Sequence, residues 1–286
     1  MLALGFGLTA ALLWAVHDLL ARKLSQGTAL LPLVAVVLGA GALALVPLAL
    51  AWGDWSAMSA PAWGLAIASG LAMSMAIGGL YKAFSLAPVR LVSPIIGAYP
   101  LLTLIIAAAQ GRAITPGDWL AVLLIVAGIA IVAIATRDDA PETYAAAPAV
   151  AIGWSIFAAI GFATTFALAQ GATRLGSDLP VILVGRVAGL CAILALLGWG
   201  RGPLLPARGQ RSVLAGMGLL DALALGLVTV SGGLPKAEYA SVSSSLFGVL
   251  TVLLATWFLK ERPSLIQWLG IGTVFSGIAV LSLQGS

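Results

Sequence analysis

The chain has 286 residues, of which 61% are hydrophobic and only 8% are charged, whereas about a quarter of the residues in an ordinary soluble domain are charged. Its 14 basic and 10 acidic side chains are too few to cover a soluble protein of this size, which excludes a soluble globular enzyme and a disordered chain. The net charge of +4 is spread thinly along the sequence, which excludes a nucleic-acid binder. Long apolar runs and a mean hydropathy of +1.11 indicate an α-helical protein embedded in a bilayer.

Ten apolar segments follow one another along the chain, and each is bounded by charged or turn-forming residues. Each is close to the length of about 20 residues that a helix needs to cross the hydrocarbon core of a membrane. The predicted fold class is therefore all-α, a polytopic membrane protein with ten transmembrane helices. The predicted spans are residues 2–22, 29–51, 61–81, 88–110, 116–136, 148–170, 178–200, 211–231, 236–259 and 264–284.

Lys and Arg residues are distributed unequally between the loops. The loops after odd-numbered spans hold ten of them, and the loops after even-numbered spans hold three. Because cytoplasmic loops carry the excess of positive charge, the odd-numbered loops are expected to face the cytoplasm. This predicts a multi-pass protein of the inner (plasma) membrane with both termini outside, on the periplasmic side.

Two sequence matches show that the chain contains a duplication. The pattern WL followed by GIA at residues 119–130 returns at residues 268–279 with an offset of 149. The segment GGLYKA at residues 78–83 returns as GGLPKA at residues 232–237 with an offset of 154. Two matches in the same order and at similar offsets indicate that the first five spans and the last five are homologous.

The duplication predicts the domain organisation. Residues 1–137 form a first five-helix repeat, residues 138–147 a polar linker, and residues 148–286 a second five-helix repeat. A repeat with an odd number of spans places its second copy upside down, which produces an inverted repeat with a pseudo-two-fold axis in the membrane plane. This architecture suits alternating access around a site near the bilayer midplane.

The ends of both halves resemble a known family. The segment FLKERP at residues 258–263, followed by QWLG at 267–270 and GIA at 277–279, is similar to the terminal signature of drug/metabolite transporters of the EamA type, which are ten-helix exporters. The first half carries the same signature, except that Arg112 stands where the second half has Glu261. Within the family, the sequence is similar to YddG-type amino-acid exporters, a resemblance that implies aromatic amino acids among the substrates.

Three polar or aromatic residues in the first span form a candidate binding site. Trp14 lies near the centre of the span, and His17 and Asp18 follow three and four residues later on the same helical face. The indole could stack on a substrate, Asp18 could attract an ammonium group, and His17 could carry a proton. In the alternative interpretation, Asp18 pairs with Arg22 and His17 donates to a neighbouring helix.

The fourth span is expected to be broken by proline. Pro88, Pro94 and Pro100 each free a carbonyl group if they lie inside a helix, and such breaks persist in membranes where they line a cavity. The ninth span, its counterpart in the repeat, is rich in Ser and Gly, residues that also permit close helix packing. The substrate-binding groups predicted in these two spans are Ser93, Tyr99 and Ser244.

The third and eighth spans are expected to end in paired glycines that act as hinges. These pairs are Gly78 with Gly79 and Gly232 with Gly233; the alternative is a closely packed helix end. Tyr81 follows the first pair and is a substrate-binding candidate or an interfacial tyrosine.

Charged residues deep inside spans are costly and require a reason. Asp221 lies at the centre of the eighth span, and Arg186 lies near the centre of the seventh. A structural ion pair is the economical interpretation; in the alternative, Arg186 binds a substrate carboxylate and Asp221 carries a proton. Thr165, in the sixth span, lies opposite the first-span cluster in the repeat and is a further substrate-binding candidate. The proton-coupling candidates are His17, Asp18 and Asp221.

The predicted function is secondary transport, with no catalytic residue, no metal site and no cofactor. The sequence lacks a Walker A loop, and its one histidine and single Cys191 cannot form a His-rich or thiolate metal site. We predict export of small organic metabolites, most of all amino acids including aromatic ones. The alternative is efflux of hydrophobic cationic drugs, and an intramembrane enzyme ranks below both. The partners are a small-molecule substrate and the lipid bilayer, and one chain holds both halves of a pathway, so a monomer is expected to suffice.

Overall fold

The computed structural model describes residues 2–109, 115–138, 148–200, 202–231, 244 and 246–284. Every regular element in these ranges is an α-helix, which confirms the predicted all-α class. The helices in chain order are α1 Leu2–Leu24, α2 Leu30–Trp52, α3 Ala60–Leu86, α4 Val89–Gly97, α5 Tyr99–Ala109, α6 Pro116–Asp138, α7 Pro148–Thr173, α8 Asp178–Trp199, α9 Arg208–Ser231, α10 Phe247–Phe258 and α11 Leu265–Gln284.

The longer helices have the dimensions of membrane spans. Helices α2, α3, α7, α8 and α9 are each long and apolar enough to cross a bilayer. Tryptophans at helix ends are strongly exposed, with Trp52 at 74%, Trp199 at 92% and Trp257 at 83%. Exposed indoles at helix ends are typical of the membrane–water interface, where the ring is partly apolar and its N–H reaches water.

The fourth predicted span is two helices rather than one. Helices α4 and α5 are separated at Ala98. Pro88 precedes α4 as its N-cap, and Pro100 is the second residue of α5, positions where a missing N–H breaks no helical hydrogen bond. Pro94 alone lies inside α4. The prediction of a broken span is therefore correct, but two of the three prolines begin helices instead of interrupting one.

The predicted end of the third span was wrong. Helix α3 continues past Gly78 and Gly79 to Leu86, because Ala, Leu, Tyr and Phe follow the glycines and favour continued packing in the core. In the second half, Gly232 and Gly233 lie outside the described residues, and α10 is the described part of the ninth span.

The last helix of each repeat begins with the same reciprocal cap. Before α6, the backbone N–H of Thr115 donates to Oδ2 of Asp118 at 2.8 Å, and the N–H of Asp118 donates to Oγ1 of Thr115 at 3.2 Å. Before α11, the N–H of Ser264 donates to Oε1 of Gln267 at 2.9 Å, and the N–H of Gln267 donates to Oγ of Ser264 at 3.3 Å. These capping boxes satisfy N–H groups that the first helical turn leaves unpaired, and they are 149 residues apart, as the repeat predicts.

The repeated glycines lie where α6 and α11 cross. A Cβ atom on Gly128 would lie 2.6 Å from both the carbonyl oxygen of Gly270 and the backbone nitrogen of Val274. A Cβ atom on Gly277 would lie 2.9 Å from the carbonyl oxygen of Ala121 and 3.0 Å from the backbone nitrogen of Ile125. Because 149 residues separate Gly128 from Gly277, Ala121 from Gly270 and Ile125 from Val274, the two contacts are related by the pseudo-two-fold axis.

The remaining helix contacts follow the same symmetry. Helix α3 packs against α7 and α8, and its repeat counterpart α9 packs against α1 and α2. Helix α2 contacts its own counterpart α8, and α4 contacts α10. The third helix of each repeat therefore packs on the first two helices of the other repeat, which is the predicted two-repeat arrangement.

Candidate functional site: a central cavity

A cavity, called the central cavity below, lies between helices contributed by both repeats. It holds about 610 Å³ of space, a volume that includes its open mouth. Its wall is mainly aliphatic and aromatic, with few polar groups. The described residues that line it are Trp14, His17, Asp18, Met73, Ile77, Leu80, Ile96, Tyr99, Phe162, Phe166, Asp221, Leu225 and Phe247.

Asp221 accepts hydrogen bonds through both of its carboxylate oxygens, one from the first repeat and one from its own repeat. Nε1 of Trp14 donates to Oδ1 of Asp221 at 2.9 Å, and Nη2 of Arg186 donates to Oδ2 at 2.6 Å. The Arg186 side chain is 4% exposed, and its guanidinium packs where Gly41 has no side chain, since a Cβ there would lie 2.6 Å from Nη1. The sequence expectation of an Arg186–Asp221 ion pair thus matches the geometry, and Trp14 is an additional donor that the sequence did not predict.

His17 and Asp18 form a second polar pair on the same wall. Nδ1 of His17 and Oδ1 of Asp18 are 3.0 Å apart in a hydrogen bond, and both side chains are almost completely buried. The ring of Tyr81 packs edge-on against His17, with centroids 6.2 Å apart. Within the described part of the chain, Nε2 of His17 and the hydroxyl of Tyr81 are buried without a hydrogen-bond partner. The alternative pair of Asp18 with Arg22 is not formed, because Arg22 contacts Glu261 instead.

Aromatic rings form the apolar part of the wall. Tyr99 lies 5.2 Å from Phe166 between ring centroids, and Phe166 stacks on Phe162 at 6.4 Å. On the other side, Trp14 meets Phe247 edge-on at 6.2 Å. Rings from both repeats thus surround the cavity, an arrangement that accepts flat apolar groups and cations over the ring faces.

The structure separates the predicted site residues into two groups. Trp14, His17, Asp18, Tyr99 and Asp221 line the cavity. The others do not appear in its described wall: these are Tyr81, Ser93, Thr165, Arg186 and Ser244. Among them, Ser244 is 3% exposed, and the Thr165 hydroxyl donates to the carbonyl of Gly161 in its own helix at 2.7 Å.

Sequence reasoning missed two of the aromatic wall residues. Phe162 precedes Phe166 by four residues, so the two rings lie on one face of α7. This spacing is visible in the sequence, but it is equally typical of a row of apolar residues that faces the protein core. Phe247, at the start of α10, carried no signal, because its position depends on how the second repeat packs against α1.

The predicted hinge glycines differ in their surroundings. A Cβ atom on Gly79 would lie 2.9 Å from Phe157 and 3.2 Å from the Cβ of Ala158, so Gly79 permits close packing of α3 on α7. A Cβ atom on Gly78 would meet nothing within 4 Å. The packing alternative therefore describes Gly79, whereas packing does not account for Gly78.

The family model for EamA-like transporters matches residues 1–134 and again residues 149–283. The chain belongs to the EamA-like transporter family. Twenty-two chains of solved structures match this transporter. One protein crystal structure aligns with a TM-score of 0.68 over 99% of this chain and 96% of its own chain, at 19% sequence identity, which establishes the shared fold. None of the curated proteins compared with this EamA-like transporter matches it.

Membership agrees with the architecture, because the family model matches each repeat separately. This EamA-like transporter is a multi-pass membrane protein that transports small molecules across a lipid bilayer.

Proposed function

We propose that this transporter exports amino acids, including aromatic ones, across the inner membrane by alternating access between its two inverted repeats. The observation that carries the proposal is the central cavity, where aromatic rings and the carboxylate of Asp18 face the same space. An aromatic amino acid combines a flat apolar body with an ammonium group, and this wall offers a partner for each. YddG-type exporters, which the sequence resembles, supply the implied substrate class.

Asp18 is the better placed of the two carboxylates for binding an ammonium group. His17 occupies Oδ1 of Asp18, and no donor on the described residues bonds Oδ2. Asp221, in contrast, already accepts from Trp14 and Arg186. A substrate ammonium at Asp18 would also lie beside Trp14 one helical turn away, where the ring face attracts a cation.

Efflux of hydrophobic organic cations is the second candidate function, and one observation favours it. The described cavity wall includes no Lys or Arg, so no cation faces the space where a substrate carboxylate would lie. Arg186 lies behind Asp221, although its Nε and Nη1 have no partner among the described atoms. An amino acid would require this guanidinium or His17 to bind its carboxylate, whereas a cationic drug would require neither.

A counterflow experiment in proteoliposomes separates these substrates. Vesicles loaded with unlabelled phenylalanine, threonine or a quaternary ammonium dye are tested for uptake of the same labelled compound. Uptake of phenylalanine that D18N weakens supports the proposal. Uptake of the dye alone overturns it in favour of cation efflux, and no uptake of any compound overturns both. D54N is the matched control, because Asp54 lies in the loop between α2 and α3.

Proton coupling is a separate proposal that rests on His17, Asp18 and Asp221. The charged and titratable groups around His17 are Asp18, Asp221, Arg186 and Tyr81. Binding of a cationic substrate at Asp18 in exchange for a proton would couple the two movements. Sealed vesicles with and without an imposed pH gradient test this: faster transport with the gradient supports coupling, and equal rates contradict it.

The orientation is also a proposal. The helix ends and loops around the ends of α1, α3, α6, α8 and α10 carry ten of the 14 basic residues, so we place this face in the cytoplasm. Single cysteines placed near either terminus should react with a membrane-impermeant reagent added outside intact cells. Labelling only after the cells are opened would reverse the orientation.

A further inference from the structure

Glu261 makes an unusual contact between the repeats at the face that carries Arg22. Its Oε1 accepts from the backbone N–H of Val89 at 3.1 Å, and its Oε2 accepts from that of Arg90 at 3.3 Å. Val89 and Arg90 are the first two residues of α4. A residue of the second repeat therefore caps the half-helix of the first repeat that leads to the cavity residue Ile96. A carboxylate at a helix N-terminus is favoured both by the unpaired N–H groups and by the helix dipole.

Arg22 ties the same carboxylate to two more helices. Its Nε lies 3.7 Å from Oε1 of Glu261, and its Nη1 donates to the carbonyl of Phe84 near the end of α3. Gln26 donates to the same carbonyl at 2.8 Å. The Arg22 side chain is 14% exposed and that of Glu261 is 11% exposed, so water screens this contact less than it would a surface pair.

The backbone before Glu261 is held in an unfavourable conformation to place this carboxylate. Lys260 has a φ of +56°, a left-handed conformation that favours glycine over residues with a Cβ atom. The N–H of Glu261 still bonds to the carbonyl of Ala255 at the end of α10. At the matching position of the first repeat the sequence has Gly111. A strained residue that persists indicates that the surrounding contacts fix it.

A fully buried layer lies between this contact and the cavity. Ala21, Tyr81 and Phe84 are inaccessible, and Leu91 is 1% exposed. Buried side chains of α1, α3 and α4 thus separate the Glu261 contact from the cavity wall, and Glu261 bridges the two repeats across that end.

The sequence does not repeat this bridge in the first half. The residue that corresponds to Glu261 is Arg112, and a guanidinium has donors but no acceptor for backbone N–H groups. A positive side chain is also unfavourable at a helix N-terminus. The two ends of the pathway therefore differ in the chemistry available for closing them.

We propose that Glu261 is a positioning residue that locks α4 and makes closure at the Arg22 face the resting state of the transporter. This inference rests on the proposed alternating access, in which each end closes in turn. Because the second repeat has this carboxylate and the sequence has Arg112 at the corresponding position of the first repeat, we expect the resting populations of the two states to be unequal. Glu261 acts through α4 and touches no substrate.

The equilibrium between the state closed at the Arg22 face and the state open there can be measured by the reactivity of a cysteine in the buried layer next to Glu261. Leu91 is replaced by cysteine in a C191S background, since Cys191 is exposed, and the rate of thiol labelling is followed in detergent. E261Q is expected to raise the rate about fivefold or more, because a bridge worth about 1 kcal/mol holds a population ratio of about five. E261D, which keeps the charge, is expected to restore slow labelling, and R262Q is the control at the exposed neighbour. Labelling of E261Q at the wild-type rate overturns the proposal.

A second variant leaves the bridge intact. R112E places a carboxylate at the opposite end and is expected to stabilise closure there, which opens the Arg22 face and also raises labelling of L91C. Unchanged labelling in R112E contradicts the proposed inequality of the two ends. If added phenylalanine changes the labelling rate but E261Q does not, the positioning role of Glu261 is contradicted and alternating access is not. If neither substrate nor any variant changes it, alternating access itself fails.

Discussion

Trp14 and Asp221 are 207 residues apart in the sequence and share a hydrogen bond of 2.9 Å at the wall of the cavity. The bond joins α1 of the first repeat to α9 of the second. The bond holds the indole ring by its edge, so that the ring faces remain available for contacts with other groups. It also makes Asp221 a shared acceptor for Trp14 and Arg186. The same contact therefore belongs both to the candidate binding site and to the packing between the repeats.

Replacing Trp14 by phenylalanine tests the role of its N–H group. W14F keeps an aromatic ring but removes the donor to Asp221, and a hydrogen bond to a charged group contributes about 1.5–3 kcal/mol. We expect KM for a transported amino acid to rise about tenfold, which corresponds to about 1.4 kcal/mol. W52F, at an exposed indole, is the control. Transport by W14F with an unchanged KM would show that this bond does not position the ring.

Replacing each carboxylate by its amide separates binding from folding. D18N removes the charge proposed to bind the substrate amine, so we expect at least a tenfold loss of transport with little change in melting temperature. D221N leaves Arg186 without a charged partner, so we expect a lower melting temperature. Transport assays and thermal unfolding in detergent measure the two effects. A D18N protein that transports normally would remove Asp18 from the site.

The Arg186–Asp221 pair is expected to dominate local stability. R186M leaves a buried carboxylate without its cation, and breaking one side of a buried pair costs about 3–5 kcal/mol. The double variant R186M/D221L removes both charges and should be more stable than R186M. Unfolding in detergent by denaturant measures all three proteins together with D221L. Strictly additive effects would mean that the 2.6 Å contact contributes no coupling.

Two adjacent glycines provide a matched test of the hinge hypothesis. In G79A the new methyl group would lie 2.9 Å from Phe157, and overpacking of this kind costs about 1–3 kcal/mol. In G78A the methyl group meets nothing within 4 Å, and alanine in a helix interior stabilises by about 0.5–1 kcal/mol. If α3 bends at Gly78, G78A should be more stable but slower in transport. A G78A protein that is both more stable and equally fast would exclude the hinge.

The membrane spans and the internal repeat were predictable from the sequence, because both depend only on the order of residues along the chain. The spans follow from runs of apolar residues, since a helix that crosses a bilayer must satisfy its own backbone. The offset of 149 between Trp119 and Trp268 predicted which positions of the two halves are equivalent. Gly128 and Gly277, where α6 and α11 cross, are separated by the same offset. The end of α3 was not predictable, because paired glycines such as Gly78 and Gly79 can either end a helix or permit close packing within it. The choice depends on packing partners that the sequence does not show.

The candidate site was predictable only in part. Trp14, His17 and Asp18 were identified because polar groups at membrane depth require a reason and because their spacing places them on one helical face. Phe162 and Phe247 were missed because apolar aromatic residues are common throughout a membrane protein. Ser93 is predicted as a polar group beside a proline, and Thr165 from its position opposite the first-span cluster in the repeat, but neither lies in the described cavity wall.

The sequence by itself determined that this is a membrane protein of ten spans in two homologous halves, because hydropathy and repetition are properties of the linear chain. The tertiary structure decided which polar groups meet. Asp221 accepts from Trp14 and Arg186, and Glu261 caps α4 beside Arg22. The contacts of Asp221 with Trp14 and of Glu261 with α4 and Arg22 cross from one repeat to the other, and the contact of Asp221 with Arg186 joins two helices of the second repeat. All of them depend on how each helix is rotated and packed. Close packing between distant segments sets those rotations, and local sequence patterns do not encode them.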